Sequence, residues 1–349
     1  MALFHRWDLT GQLQPLGLEQ LWGGAQPPAC WIMGTGPSWQ QLPSAEIGRS
    51  PWPRWALNHF PPSQPPPQFF TAYDPPPRFA RQVWRDARIL KLIPQRWADI
   101  LLPGTSLAVC ECPGVIFFTS DADREPQQLL APQAGGIADF RDTFLQALEL
   151  AWWLGFRRLY AVGCEFRVEP PAEWLAHARR LQIPLNDQPS LATLYDRLKQ
   201  RGWDPSALSA EITYSVYHFA HRRSWTEAVA CDRHYQRVVQ QLRLARTNLS
   251  RYGLQLISVT PGSRLNDWFP YKPIEEVLAE ADRAVPCETI PTWYQQPTSC
   301  STSSAYDAAL CSLWTPLAPP RDHVSPTTLS TAGLAVSEGW ELLPPYPAD

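Results

Sequence analysis

The sequence has little charge and no long hydrophobic run. Charged residues make up 18% of the 349 positions and the formal net charge is −3, so the composition gives no reason to expect nucleic acid or an anionic membrane as the main partner. No stretch approaches the roughly 20 consecutive apolar residues of a membrane-spanning helix. The first eight residues lack an apolar core of signal-peptide length. We therefore expect a soluble, cytoplasmic protein without a transmembrane segment.

The eight cysteines form no metal-binding pattern. Cys110 and Cys112 stand closer together than paired zinc ligands usually do, and no second pair accompanies them. Free cysteines pack as small apolar residues. We therefore expect a reducing compartment and no metal site.

The first glycine-rich stretch lacks the residues that complete the familiar nucleotide loops. The apolar run Cys30–Met33 leads into the loop Gly34–Ser38, which has neither a third glycine nor a Gly-Lys-Ser/Thr sequence. Glycines let a backbone approach a ligand closely, and N–H groups at a helix start bind anionic oxygens. The pattern predicts a strand, a tight loop and a helix. The loop is interpreted either as an anion site or as a plain turn without a ligand.

Proline and tryptophan are abundant, with 38 and 17 residues. Many prolines cluster within 61–67 and 75–77, where they punctuate loops. Between the loops, short strands are predicted near residues 30, 56, 70, 90, 116, 160 and 256. The clearest helix carries an apolar stripe over Phe144–Ala151 and is followed by Gly155 and a strand. Because helices alternate with strands, we expect an α/β fold whose mostly parallel sheet is flanked by helices.

The chain divides into three predicted regions. Residues 1–28 are predicted to form an N-terminal arm or a short helix around Leu16–Trp22, and residues 29–284 the α/β domain. Within that domain, residues 171–226 read as a helical insertion, or lid. Residues 285–349 are rich in Pro, Ser and Thr without a sustained period, which predicts an irregular C-terminal tail.

Several short stretches, in this order, carry a resemblance to a known family. They are Gly34-Thr35-Gly36-Pro37-Ser38, Ala56-Leu57-Asn58, Tyr73-Asp74-Pro75, the passage from Ala151 to Phe166, and the passage from Tyr252 to Ser263. Together they resemble the glycosyltransferase family 42 sialyltransferases. They are also similar to the group around bacterial motility accessory factors and the archaeal MptE-like hydroxymethylpterin diphosphokinases.

The resemblance implies a modified Rossmann-type sheet with a nucleotide at the carboxyl ends of its strands. The nucleotide site it implies comprises Gly34, Thr35, Gly36, Pro37, Ser38, Asn58, Asp74, Thr143 and Glu165. Asp74 stands where the family has Asn, so a carboxylate there suits a sugar hydroxyl but repels a phosphate. Glu165 stands where the family usually has Asp, and it either orients a hydroxyl or caps a loop.

The catalytic base implied by the resemblance is His234, which lies 18 residues before Tyr252. A histidine suits this role because its ordinary pKa lies near neutrality. His218 and His221 are alternatives on a nearby segment. For each of the three, a plain surface or core role is the competing interpretation.

The function implied is transfer of a sugar from a nucleotide-sugar donor of the CMP-sugar type to a hydroxyl of a glycan or small-molecule acceptor. Direct displacement at the donor carbon requires no metal or other cofactor. One alternative is an MptE-like diphosphokinase that uses ATP and Mg²⁺, held by carboxylates such as Asp74 and Glu165. Another is a non-catalytic nucleotide-binding or structural protein that retains the fold.

Overall fold

One nine-stranded, mostly parallel sheet organises the chain. The computed structural model describes residues 3–7, 12–17, 29–58, 60, 64–76, 81–102, 104–185, 189–204 and 224–284. Helices cover both faces of the sheet. The α/β class that the alternation of elements predicts is therefore confirmed.

The strands are short and, in the centre of the sheet, buried throughout. In chain order the described residues form β1 (Phe4–Trp7), β2 (Leu13–Leu16), β3 (Ala29–Met33), β4 (Arg54–Leu57), β5 (Phe69–Thr71), β6 (Leu90–Pro94), β7 (Val115–Phe118), β8 (Ser120–Asp121), β9 (Ile137–Ala138), β10 (Arg158–Val162) and β11 (Gln255–Ser258). Strands β8 and β9 form a separate parallel pair. Because a parallel sheet is covered on both faces, the sequences of its strands are nearly continuous apolar runs.

The described residues form seven α-helices. They are α1 (Ser44–Arg49), α2 (Arg81–Arg85), α3 (Thr143–Trp153), α4 (Ala172–Arg180), α5 (Leu191–Gln200), α6 (Trp225–Arg251) and α7 (Ile274–Asp282). The Asp142 carboxylate caps α3 by accepting the Leu145 N–H at 3.0 Å. Ser224 and Glu227 form a capping box at the start of α6. These caps fix where both long helices meet the sheet.

The winding of the sheet reverses next to β3. The strand order is β11-β10-β3-β4-β5-β6-β7-β1-β2. The chain steps from β3 outward to β7 and then returns to β10 on the other side of β3. Strands β3 to β7, β10 and β11 run parallel, so their carboxyl ends share one edge. A crevice is expected at that edge between β3 and β10.

The side chains of the strands alternate between two cores. In β3, Cys30 and Ile32 pack under α3 and α6, whereas Trp31 and Met33 face the core shared with α1 and α7. A third cluster joins α4, α5 and the first turns of α6. Most of this cluster lies in the predicted insertion 171–226, whose described residues form α4, α5 and the start of α6 with irregular connections between them.

The N-terminal residues contain two strands that the sequence does not predict. Strand β1 pairs antiparallel with β7 and with β2, and the Phe4 side chain is buried in the main core. A four-residue strand is too short to give a periodic signal, which is why it was missed. Leu16 ends β2, and the rest of the predicted helix Leu16–Trp22 lies almost wholly outside the described residues.

Two further predictions concern the C-terminal tail and the absence of a transmembrane segment. The predicted tail, residues 285–349, lies outside the described residues. Within the described part, no helix combines the length and apolarity needed to cross a bilayer.

Lys91 in β6 is an unusual core residue. It is fully buried, and its ammonium donates to the carbonyl oxygens of Asp86, Ile89 and Pro113 at 2.6, 3.0 and 2.7 Å. Burial lowers its pKa from 10.5 to about 7. The unfolded chain therefore binds more protons than the folded chain between these two pH values.

We predict that this difference appears as a pH dependence of stability. We compare the free energy of unfolding of the parent with that of Lys91→Met. Between about pH 7 and pH 10, the parent's value should rise with pH relative to the variant's, by at most about 1.4 kcal/mol per pH unit. Urea unfolding of both proteins at several pH values measures this difference. A difference that stays constant across the range would show that the buried amine remains protonated.

Candidate functional site

A pocket opens at the carboxyl edge of the sheet, where the loops after β3 and β10 meet. Its cavity volume is about 80 Å³, which is room for a small group rather than a whole nucleotide. The lining residues come from four loops, the end of β4 and two helices: Gly34, Thr35, Gly36, Leu57, Asn58, Asp142, Thr143, Phe144, Gly163, Cys164, Glu165, Phe166 and Tyr235. The pocket thus lies at the point where the strand order reverses.

Glycines allow the two loops to touch. The Gly34 N–H donates to Val162 O at 2.8 Å and the Gly36 N–H donates to Gly163 O at 2.9 Å. A Cβ on Gly34 would lie 2.2 Å from Gly163 O, so a larger residue would push the loops apart. Gly163 has φ +66°, in the left-handed region that favours glycine.

The Glu165 carboxylate occupies the glycine loop. Its Oε1 accepts the Ser38 N–H at 2.8 Å, and a Cβ on Gly36 would lie 1.4 Å from its Oε2. Burial raises the pKa of Glu165, whereas its hydrogen bonds with Ser38 act in the opposite direction. In this conformation the N–H groups of Gly34, Gly36 and Ser38 all have protein acceptors. The predicted phosphate cradle therefore holds an anion of the chain itself.

Asn58 and Thr143 meet on one wall of the pocket. The Thr143 hydroxyl donates to Asn58 Oδ1 at 2.6 Å and accepts the Tyr73 N–H at 3.0 Å. Asn58 has φ +58°, a conformation that Asn tolerates better than most residues. The structure thus brings together two residues that lie 85 positions apart. Asp74, the third polar residue expected here, is half-buried beside Tyr73 and does not line the pocket.

His234 adjoins the pocket from the third turn of α6. Its Nε2 lies 3.0 Å from Asp142 Oδ2, and Asp142 lines the pocket. A carboxylate on one ring nitrogen holds the imidazole in place and leaves Nδ1 as the acceptor. Asp142 also caps α3, and no local sequence pattern predicts its pairing with a histidine 92 positions away. His218 and His221 lie outside the described residues.

Three aromatic rings form a wall of the pocket. The Phe144 and Phe166 ring centroids are 4.9 Å apart, and those of Phe166 and Tyr235 are 5.7 Å apart. Phe166 has φ +50°, which is uncommon for a bulky residue and is found at functional sites more often than elsewhere. Such a wall suits the face of a sugar or base.

Cys164 and Trp39 have supporting roles. Burial raises the pKa of the Cys164 thiol, which disfavours the thiolate that a nucleophile requires. This agrees with its interpretation as a packing residue. Trp39 is buried, and its indole N–H donates to Gly34 O.

The described residues contain no group of three or more His, Cys, Asp or Glu side chains placed to hold a metal ion. The diphosphokinase alternative uses the carboxylates of Asp74 and Glu165 to hold Mg²⁺, but the structure places these two side chains in different surroundings. Glu165 faces Ser38, and Asp74 lies outside the pocket lining.

Comparison of the chain with protein-family models, with curated proteins and with solved structures gives no match.

The contact between Glu165 and Gly36 gives a testable prediction. Gly36 has φ −67°, which alanine adopts readily, so the obstacle to Gly36→Ala is the Glu165 carboxylate. We expect Gly36→Ala to expel that carboxylate from the Ser38 N–H and to lower the free energy of unfolding by roughly 1–3 kcal/mol. In a Glu165→Ala background the same change should be neutral or should stabilise by about 0.4–1 kcal/mol.

This is a double-mutant cycle. Urea unfolding measures it on the parent, both single variants and the double variant. An equal cost of Gly36→Ala in both backgrounds would show that Glu165 does not fill the loop.

Proposed function

We propose that this protein is a transferase that uses the pocket between β3 and β10. It moves a sugar from a nucleotide-linked donor, of the CMP-sugar type, to an acceptor hydroxyl. The observation that carries the proposal is the His234–Asp142 pair, 3.0 Å between Nε2 and Oδ2, at a pocket on the carboxyl edge of a parallel sheet. The resemblance of the short motifs to family 42 sialyltransferases, with their Rossmann-type sheet, supports it further.

In the proposed reaction His234 is the general base. Its Nδ1 accepts the proton of the acceptor hydroxyl while the Asp142 carboxylate stabilises the imidazolium that forms. The acceptor oxygen then forms a bond to the donor carbon. The bond from that carbon to the phosphate oxygen breaks, and its electron pair leaves with the nucleotide.

The remaining lining residues suit the donor. The Asn58 amide and Thr143 hydroxyl offer polar atoms for the nucleotide, and the rings of Phe144, Phe166 and Tyr235 offer stacking surface. With Glu165 on the Ser38 N–H the cavity is small, so donor binding requires that carboxylate to move. Its departure frees a backbone donor at the loop and enlarges the pocket.

One observation favours a second candidate, a non-catalytic protein that retains the fold. The loop after β3 has its N–H groups satisfied by Val162, Gly163 and Glu165, as a purely structural turn would. A thermal-shift screen with CMP, UDP, GDP and ATP, each with and without Mg²⁺, separates the candidates. Stabilisation by CMP without metal supports glycosyl transfer, ATP with Mg²⁺ points to a diphosphokinase, and no shift with any nucleotide supports the structural role.

The proposed base gives a direct prediction. His234→Asn should lower kcat by about 10²- to 10⁴-fold, because general-base catalysis contributes about that much. Asp142→Asn should lower it less while α3 remains capped, because Asn caps a helix as well as Asp. Turnover of a CMP-sugar over a panel of acceptors measures both variants.

Arg233→Gln is the matched control. Arg233 is adjacent to His234 on α6 but pairs with the exposed Asp196, so its loss should leave turnover unchanged. Parent-like turnover by His234→Asn would contradict the role of His234.

A further inference from the structure

We propose that Arg167 and Arg264 form an anion site beside the pocket, which takes a phosphate or diphosphate group. They lie in the loops that follow β10 and β11, at the same edge of the sheet as the pocket. The assignment of that group to a nucleotide donor rests on the proposed function, whereas the anion site itself does not.

Hydrogen bonds hold the two loops together. The Arg264 N–H donates to Glu165 O at 2.9 Å, and the Ser263 hydroxyl donates to Cys164 O at 2.6 Å. The Cys164 N–H donates to Thr260 Oγ1 at 3.0 Å. Arg264 is thereby fixed beside Glu165, a lining residue of the pocket.

The two guanidinium groups retain unused donors. Arg167 Nε and Arg264 Nη1 are buried and have no hydrogen-bond partner. Burial lowers the pKa of Arg167, and the nearby charge of Arg264 lowers it further, against the opposing charges of Asp267, Glu169 and Asp232. Two neighbouring cations with unmet donors are costly unless a ligand satisfies them.

The buried carboxylate that contacts Arg264 is already shared with other donors. Asp232 meets Arg264 Nη2 at 3.2 Å, but it also accepts the Val168 N–H at 2.9 Å, the Ala192 N–H at 3.0 Å and the Ser190 hydroxyl. Its charge therefore anchors the helical insertion as well as one arginine.

Phosphate oxygens fit this arrangement well. A guanidinium presents a rigid fork of donors that matches phosphate geometry, and two such groups suit a dianion. Among the described residues that line the pocket there is no Arg or Lys, and the N–H of Ser38 is taken by Glu165. Arg167 and Arg264 are thus placed to supply the positive charge that the pocket lining lacks.

Titration calorimetry of the full chain with inorganic phosphate and with pyrophosphate tests the site. We expect binding by the parent that weakens with added NaCl. Arg167→Gln should reduce the affinity roughly tenfold or more. The affinity of Arg167→Lys should lie between those of the parent and Arg167→Gln, because lysine keeps the positive charge but loses the paired donors of the guanidinium. Arg264→Lys, which retains a cation for Asp232, should also weaken binding.

Arg88→Gln is the matched control, because Arg88 is exposed and pairs with Asp86 away from this edge. Equal affinity in the parent and Arg167→Gln, or no binding by the parent at millimolar phosphate, would overturn the site. If phosphate binding depends on Arg167 but CMP neither binds nor competes with it, the anion site is supported and the proposed function fails.

Discussion

The pairing of β3 with β10 is the constraint on which the site depends. The register runs from Ala29 opposite Arg158 to Met33 opposite Val162, and it continues beyond the strands as backbone hydrogen bonds from Gly34 and Gly36. Because the winding of the sheet reverses at this pair, a crevice is expected at the carboxyl edge next to it. Only glycine at position 34 lets the two loops approach so closely.

Much of this could be predicted from the sequence, since it depends on local patterns. The buried apolar strands, the stripe of α3 and the stop at Gly155 have strong periodic or turn signals, and each appears where it is expected. The meeting of the glycine loop with Asn58 and Thr143 also follows from one rule: the carboxyl ends of parallel strands share an edge. The structure places all three on the pocket, while Asp74 lies aside because its strand, β5, is two strands away from β3.

The electrostatics of the site could not be predicted in this way. The contacts of Asp142 with His234 and of Glu165 with Ser38 join residues 92 and 127 positions apart, and neither has a signature in sequence spacing. The same is true of Arg167 and Arg264, which are neighbours only because β10 and β11 are. The sequence left open whether the glycine loop is an anion site or a plain turn, and it gave no sign that the loop contacts the Glu165 carboxylate of the chain itself.

The central claim is that the crevice between β3 and β10 binds a nucleotide. Amide chemical shifts of ¹⁵N-labelled protein titrated with CMP test it most directly. The account predicts shifts at Gly34, Gly36 and Gly163, with the largest change at Ser38, because its N–H exchanges the Glu165 carboxylate for a ligand oxygen. No shifts at millimolar CMP, or shifts confined to residues away from this edge of the sheet, would contradict it.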